Sequence, residues 1–325
     1  MAARPAITAL GGGTGLSLLL SGLKRAEVDV TAVVTVADDG GSSGRLRREL
    51  GILPPGDIRN CLVALADDES LMGRLFQHRF ADGDLSGHPF GNLFLAALTE
   101  VTGDFDVAIQ ECSRVLKIRG AVVPSTLEQV RLWAERMDGS EACGETNIAA
   151  GFSPCRRVWF DPVPEAYPAA VDAVAGADMV VLGPGSLFTS VLPHLAVPEI
   201  AAGLQRARGL RVYVCNVMTQ PGETDGFCAG DHIERILDAA PGGLDVVVLH
   251  DGVFDVATLS AYRALGQIPV HIDDARIAAL GVRVVTAPLA DAQGVVRHNP
   301  EALSKVLIDL AYEQLRTPVP RSVEQ

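Results

Sequence analysis

Residues Gly11-Gly12-Gly13-Thr14-Gly15 stand between two apolar runs, Pro5 to Leu10 and Leu16 to Leu23. The pattern predicts a β-strand, a glycine turn and a helix in immediate succession. Glycines leave the backbone bare, and the first-turn amides of a helix have no intrahelical acceptor. Bare amides at the positive end of a helix suit a phosphate. The spacing matches neither standard fingerprint. Leu16 occupies the place of the last glycine in G-x-G-x-x-G, and no lysine follows where a P-loop needs one. The loop therefore points to a phosphate-bearing ligand without saying which. A tight strand-to-helix turn with no ligand would use the same glycines.

A second β-rich run, residues 30–37, ends at Asp38-Asp39. Strand, helix and strand make a βαβ unit, which implies a parallel sheet. An acid after the second strand is where a nucleotide-binding unit holds a ribose or a metal. Paired aspartates suit Mg²⁺ on one carboxylate and a sugar hydroxyl on the other. The loop Gly40-Gly41-Ser42-Ser43-Gly44-Arg45 follows, with Arg47 and Arg48 beyond it as phosphate partners. Read as a helix start, that basic run opposes the helix dipole, which favours a functional reason for it.

Helices are expected over 57–66, 71–80, 91–101 and 105–116. From Glu128 to Thr146 the apolar period changes to two, with Asp138-Gly139 as the turn of a small β-hairpin. The doubly wound pattern then resumes, with strands at 158–160, 179–182, 211–215 and 246–249 and shorter edge strands at 269–272 and 283–287. Asn299-Pro300-Glu301 reads as the capped start of a last helix. The expected fold is α/β: a Rossmann-like doubly wound, mainly parallel sheet with a helical insertion and a small β-hairpin excursion. One domain spans 1–316, its insertion at about 40–150, and 317–325 forms a flexible tail.

Three further loops are polar where strands should end. Gly183-Pro184-Gly185-Ser186 is a second glycine turn, with Ser186 placed to cap a helix. Asn216 to Gly226 gathers amide, hydroxyl and acid groups, including Thr219. Gly87-His88-Pro89-Phe90-Gly91-Asn92 precedes a helix, and a lone histidine there is ordinarily structural. Net charge is −13, from 27 basic and 40 acidic residues. Nucleic acid is therefore not an expected partner, because such binding rests on Lys and Arg against phosphates. No apolar run approaches the ~20 residues of a membrane span, so insertion into a membrane is not expected. The first strand begins within a few residues of Met1, and six cysteines lack C-x-x-C spacing. Both point to a cytoplasmic protein with reduced, mostly buried thiols.

Six motifs in one order resemble the YvcK-type gluconeogenesis factors. They are Gly11 to Gly15, Val36 to Arg47, Pro54 to Leu62, Gly87 to Asn92, Gly183 to Ser186 and Asn216 to Gly226. That group is a branch of the CofD-like superfamily, whose other branch is 2-phospho-L-lactate transferase. The resemblance implies a Rossmann-like fold and a UDP-sugar, such as UDP-N-acetylglucosamine, at the glycine loops. It implies a regulator of carbon flow and cell shape during growth on gluconeogenic carbon sources. By motif match it places Tyr262 and Arg297 at the UDP-sugar, where an arginine meets the diphosphate and a tyrosine the sugar or base. Gly11, Gly12, Gly13, Thr14, Gly15, Asp38, Asp39, Ser42, Arg45, Asn92, Gly185, Ser186, Asn216 and Thr219 complete the expected site. It also implies a homodimer, with an enzyme of cell-envelope synthesis or a kinase as partner. The alternative is a metal-dependent transferase of a phospholactyl or nucleotidyl-linked group using Asp38 and Asp39. NAD ranks last, because its fingerprint is broken at Leu16 and no pair suited to hydride chemistry stands out.

Overall fold

The computed structural model describes residues 4–67, 71–291 and 295–316. The first βαβ unit is β1 (Ala6–Gly11), α1 (Gly13–Leu23) and β2 (Asp29–Val34). Five helices follow: α2 (Gly41–Leu50), α3 (Gly56–Leu65), α4 (Leu71–Gln77), α5 (Phe90–Thr102) and α6 (Phe105–Leu116). Then come β3 (Ala121–Pro124), β4 (Arg131–Arg136), β5 (Glu141–Cys143), α7 (Glu145–Ala149) and β6 (Cys155–Asp161). The second half runs α8 (Pro168–Gly176), β7 (Met179–Leu182), a π-turn at Leu187–Val191, α9 (Leu192–Leu195), α10 (Pro198–Arg206) and β8 (Leu210–Val214). It closes with α11 (Ala229–Ala239), β9 (Val246–His250), α12 (Val256–Ala264), α13 (Asp274–Ala279), β10 (Arg283–Ala287), β11 (Ala290–Asp291), β12 (Arg297–His298) and α14 (Pro300–Arg316).

Seven strands form one parallel sheet in the order β3-β2-β1-β7-β8-β9-β10. The chain winds outward from β1 to β3, returns to β7 on the other side of β1, and winds outward again. The reversal between β1 and β7 is a topological switch point, outside whose carboxyl ends open α/β sheets bind ligands. Its register is fixed by Ile7 opposite Met179 and Leu10 opposite Leu182. Helices cover both faces of such a sheet, so its central strands are apolar throughout rather than alternating. Met179 to Leu182 and Val246 to Leu249 are accordingly all buried. Truncating a side chain such as Leu10, which has no exposure, would cost about 2–5 kcal/mol.

A separate antiparallel sheet, β5-β4-β6, sets Trp133 and Trp159 as stacked cross-strand neighbours with centroids 6.3 Å apart. Arg136 at its bulge is 6% exposed and donates to the carbonyls of Ile148 (2.8 Å), Ser153 (2.8 Å) and Gly222 (2.6 Å). One guanidinium thereby ties the small sheet and α7 to the loop after β8.

Four sequence expectations need correction. The run at 158–160 lies in β6 of the small antiparallel sheet, because its partner is β4 rather than a central strand. The segment 40–150 is not one insertion, since β3 within it forms the edge of the central sheet. Residues 269–272 make only an isolated bridge between Pro269 and Met218. Helix α2 begins at Gly41, so Arg47 and Arg48 occupy its last turn, where positive charge agrees with the dipole. The cap on α14 is as expected: Asn299 Oδ1 accepts from the amides of Glu301 (3.0 Å) and Ala302 (2.8 Å). All six cysteines are free, four of them buried. No single helix among the described residues is long and apolar enough to cross a membrane. The tail expected at 317–325 lies outside the described residues.

Candidate functional site

At the switch point a cleft of about 430 Å³ opens between the first glycine loop and its neighbours. Gly12 to Gly15 form one wall and Pro184 to Ser186 another. Gly12 is extended, Gly13 has φ +61, and no side chain caps α1. A Cβ on Gly13 would meet nothing within 4 Å, so the loop opens onto free space. The two loops are joined at the sheet: the Gly183 N–H donates to the Leu10 carbonyl at 2.8 Å. Below them His194 is fully buried, its Nε2 3.0 Å from the Gly11 carbonyl. Burial pushes the pKa of that ring down to about 4.

The loop after β8 supplies the third wall. Asn216 Nδ2 donates to the Gly185 carbonyl at 2.9 Å, which fixes the second glycine turn against β8. Thr219 spends its hydroxyl on the Ile268 amide (3.0 Å) and its own amide on the Ile268 carbonyl (2.8 Å). Ser186 accepts from the Thr189 amide (3.3 Å), the cap expected of it, and donates to the buried carboxylate of Glu223. The fourth wall comes from α12 and the β11–β12 hairpin. Tyr262 Oη accepts from the Val296 amide at 2.5 Å, so the ring braces the strand that carries Arg297. Arg297 lines the cleft, is exposed, and has no carboxylate within ion-pairing distance among the described residues.

Carboxyl groups crowd the inner end. Asp57 is half-buried beneath the loop, and a Cβ on Gly12 would come within 2.7 Å of its Oδ2. Burial, then the charge of Asp38, raises its pKa to about 6, while the Gly13 N–H and Arg59 pull it back. Glu145 lines the cleft, and burial together with Asp57, Asp38, Glu223 and Asp39 pushes it up to about 8. Neither acid was singled out for a role from the sequence. Asp57 lay inside the Pro54 to Leu62 motif, and only its place under the loop reveals it.

The expected site residues fall into three places. Gly12, Gly13, Thr14, Gly15, Gly185, Ser186, Asn216, Thr219, Tyr262 and Arg297 line the one cleft, with Gly11 just behind. Ser42, Arg45 and Asn92 gather elsewhere around His88: Ser42 Oγ lies 2.7 Å from His88 Nδ1 and accepts from Asn92 Nδ2 at 3.1 Å. Arg45 donates to the Ser86 carbonyl at 2.7 Å. Asp38 and Asp39 stand between. Asp38 Oδ1 accepts from the Gly40 amide at 2.9 Å, and Asp39 Oδ1 takes the amide (3.1 Å) and hydroxyl (2.9 Å) of Thr146. Among the described residues each keeps its second carboxylate oxygen without a hydrogen bond. Among the described residues no three His, Cys, Asp or Glu side chains meet as metal ligands.

A glycine-rich cleft outside the carboxyl ends of the strands, at the switch point of a seven-stranded parallel sheet, defines a Rossmann-like α/β protein. The profile of the family described as 2-phospho-L-lactate transferase CofD matches residues 7–290. A protein named gluconeogenesis factor in Bacillus subtilis is 44% identical over 321 residues, 96% of this chain and 100% of its own. Its namesake in Halalkalibacterium halodurans is 44% identical over 307 residues, 93% of this chain and 95% of its own. A crystal structure of a Bacillus halodurans protein superposes with a TM-score of 0.91 at 44% identity, covering 94% of this chain and 100% of that one. The chain belongs to the CofD family, and within it to the gluconeogenesis factors.

Proposed function

We propose that the protein is a cytoplasmic regulator that binds a UDP-sugar, UDP-N-acetylglucosamine, and through it adjusts carbon flow and envelope synthesis, hence cell shape, during growth on gluconeogenic carbon. One observation carries the reading: two glycine turns, Tyr262 and Arg297 line a single cleft at the switch point. The first-turn amides of α1 and the Arg297 guanidinium provide donors for a diphosphate. Tyr262 offers a ring for the sugar or base. The volume suits a ligand of this size, since small-molecule sites run about 300–1,000 Å³. The test is calorimetry with UDP-N-acetylglucosamine, GDP and NAD, each with and without Mg²⁺. Preferential binding of the UDP-sugar supports the regulator, and no heat with it at millimolar concentration rejects it.

A second reading, a metal-dependent transferase, is favoured by the carboxyl groups beside the glycine loop. Mg²⁺ would supply Lewis-acid polarisation of a phosphoryl group. The free oxygens of Asp38 and Asp39 are the ones suited to hold it, and Asp57 and Glu145 would add negative charge nearby. Under this reading Asp38→Asn abolishes turnover, whereas a regulator has no turnover to lose.

A further inference from the structure

On the far side of Asp39 from the glycine cleft lies a second pocket of about 540 Å³, and three guanidiniums line it: Arg47, Arg48 and Arg131. In a chain of net charge −13, surface arginines readily find carboxylates. These three do not. Among the described residues none lies within ion-pairing distance of an acid, and only Arg47 makes a hydrogen bond, to the Val130 carbonyl. Arg131 sits directly opposite Asp161 across the β4–β6 pair, yet the two remain unbridged. Arg47 is half-buried; desolvation and, less strongly, Arg131 work against its charge, while Asp39 and Asp38 favour it. Three guanidiniums share one pocket with no direct ion pair among the described residues, and a bound anion would satisfy their donors.

The same pocket presents acceptors. Among the described residues Asp161 makes no side-chain hydrogen bond, and the second oxygen of Asp39 faces the wall at Gly144. Guanidiniums take a phosphate, while carboxylates take hydroxyl donors. We propose that the Arg47–Arg48–Arg131 pocket is a second binding site, for a small hydroxylated phosphate monoester of the sugar phosphate class. The site adjoins the first. Asp39 lines this pocket and caps α7 through Thr146, and the neighbouring residue Glu145 lines the glycine cleft. Occupancy of one pocket therefore bears on the wall of the other.

Calorimetry on the whole chain with glucose 6-phosphate, inorganic phosphate and citrate tests the assignment. Glucose 6-phosphate should bind at least tenfold more tightly than phosphate or citrate. The double variant Arg48→Ala/Arg131→Ala should weaken it at least tenfold while leaving the melting temperature and UDP-N-acetylglucosamine binding unchanged. Both side chains are exposed and make no hydrogen bond or ion pair among the described residues, so this variant reports on the ligand. The proposal fails if glucose 6-phosphate gives no heat at 10 mM, if citrate binds as well, or if the double variant binds like wild type. Loss of the signal in Arg297→Ala instead would assign the binding to the glycine cleft. Failure of UDP-sugar binding leaves these outcomes untouched, because both ligand and variant differ.

Discussion

The Cα of Gly15 faces the carbonyl oxygen of Pro184 so closely that a Cβ there would lie 2.4 Å from it. The first and second glycine turns are thus packed backbone to backbone across the switch point. A methyl group must push one loop off the other, and neither can yield cheaply because the obstructing atom is main chain. Gly15→Ala should destabilise the fold by about 1–3 kcal/mol, the range for overpacking. Urea unfolding checks this: the midpoint should fall with the slope unchanged.

Gly13 behaves differently, because its would-be Cβ has nothing within 4 Å. The room in front of it is where a diphosphate must come. Gly13→Val should abolish UDP-N-acetylglucosamine binding, with a stability loss of about 1–2 kcal/mol from a side chain at φ +61. Wild-type affinity by calorimetry in this variant would remove the ligand from the loop.

Arg297 pairs with no acid among the described residues, so its removal costs the free protein little. Arg297→Ala should keep the unliganded melting temperature and weaken UDP-sugar binding by about 1.5–3 kcal/mol, the worth of a charged hydrogen bond. Ligand-dependent thermal shift reads this directly by mass action. Tyr262→Phe, which loses the acceptor for the Val296 amide, should give a smaller loss through the position of Arg297.

The sheet was legible because a parallel strand announces itself as an unbroken apolar run, as in Val246 to Leu249. The two glycine turns were legible for the opposite reason, as gaps in such runs. What the sequence hid depends on contacts far apart along the chain. Strand β6 looks like any short apolar run until its pairing with β4 is known. Arg136 reads as a surface residue, yet it bonds carbonyls as distant as Gly222. Ser42 and Asn92, 50 residues apart, meet away from the glycine loop although their motifs seemed to belong to it.

The acid limb of stability should report on His194. Its Nε2 is committed to the Gly11 carbonyl and its buried Nδ1 has no partner among the described residues, so a second proton has no acceptor to meet there. The folded pKa, about 4, lies below the ordinary 6.5. Between those values the unfolded chain binds a proton that the native state does not, so stability falls as pH drops through the window. The loss approaches about 3 kcal/mol by pH 4. His194→Gln should flatten that limb, as seen in urea midpoints at pH 4, 5 and 7.

Glu145 works in the opposite sense and connects stability to the ligand. Its folded pKa, about 8, is above the usual 4.5, raised by burial and by the neighbouring acids. Between pH 4.5 and 8 the native state holds a proton that the unfolded chain has lost, so this contribution to stability declines as pH rises through the window and levels off above it. Because the group is partly exposed, the effect is set at about 1–2 kcal/mol rather than the full shift. Glu145→Gln should therefore be more stable than wild type at pH 9 by that amount and equal to it near pH 4. The ligand adds an independent readout. An ionised Glu145 in the cleft repels a diphosphate, whereas a neutral one can donate to it. UDP-N-acetylglucosamine affinity should fall between pH 7 and 9 in wild type and hold steady in Glu145→Gln. Parallel pH profiles in the two proteins, by calorimetry, would mean that the carboxyl does not face the bound phosphates.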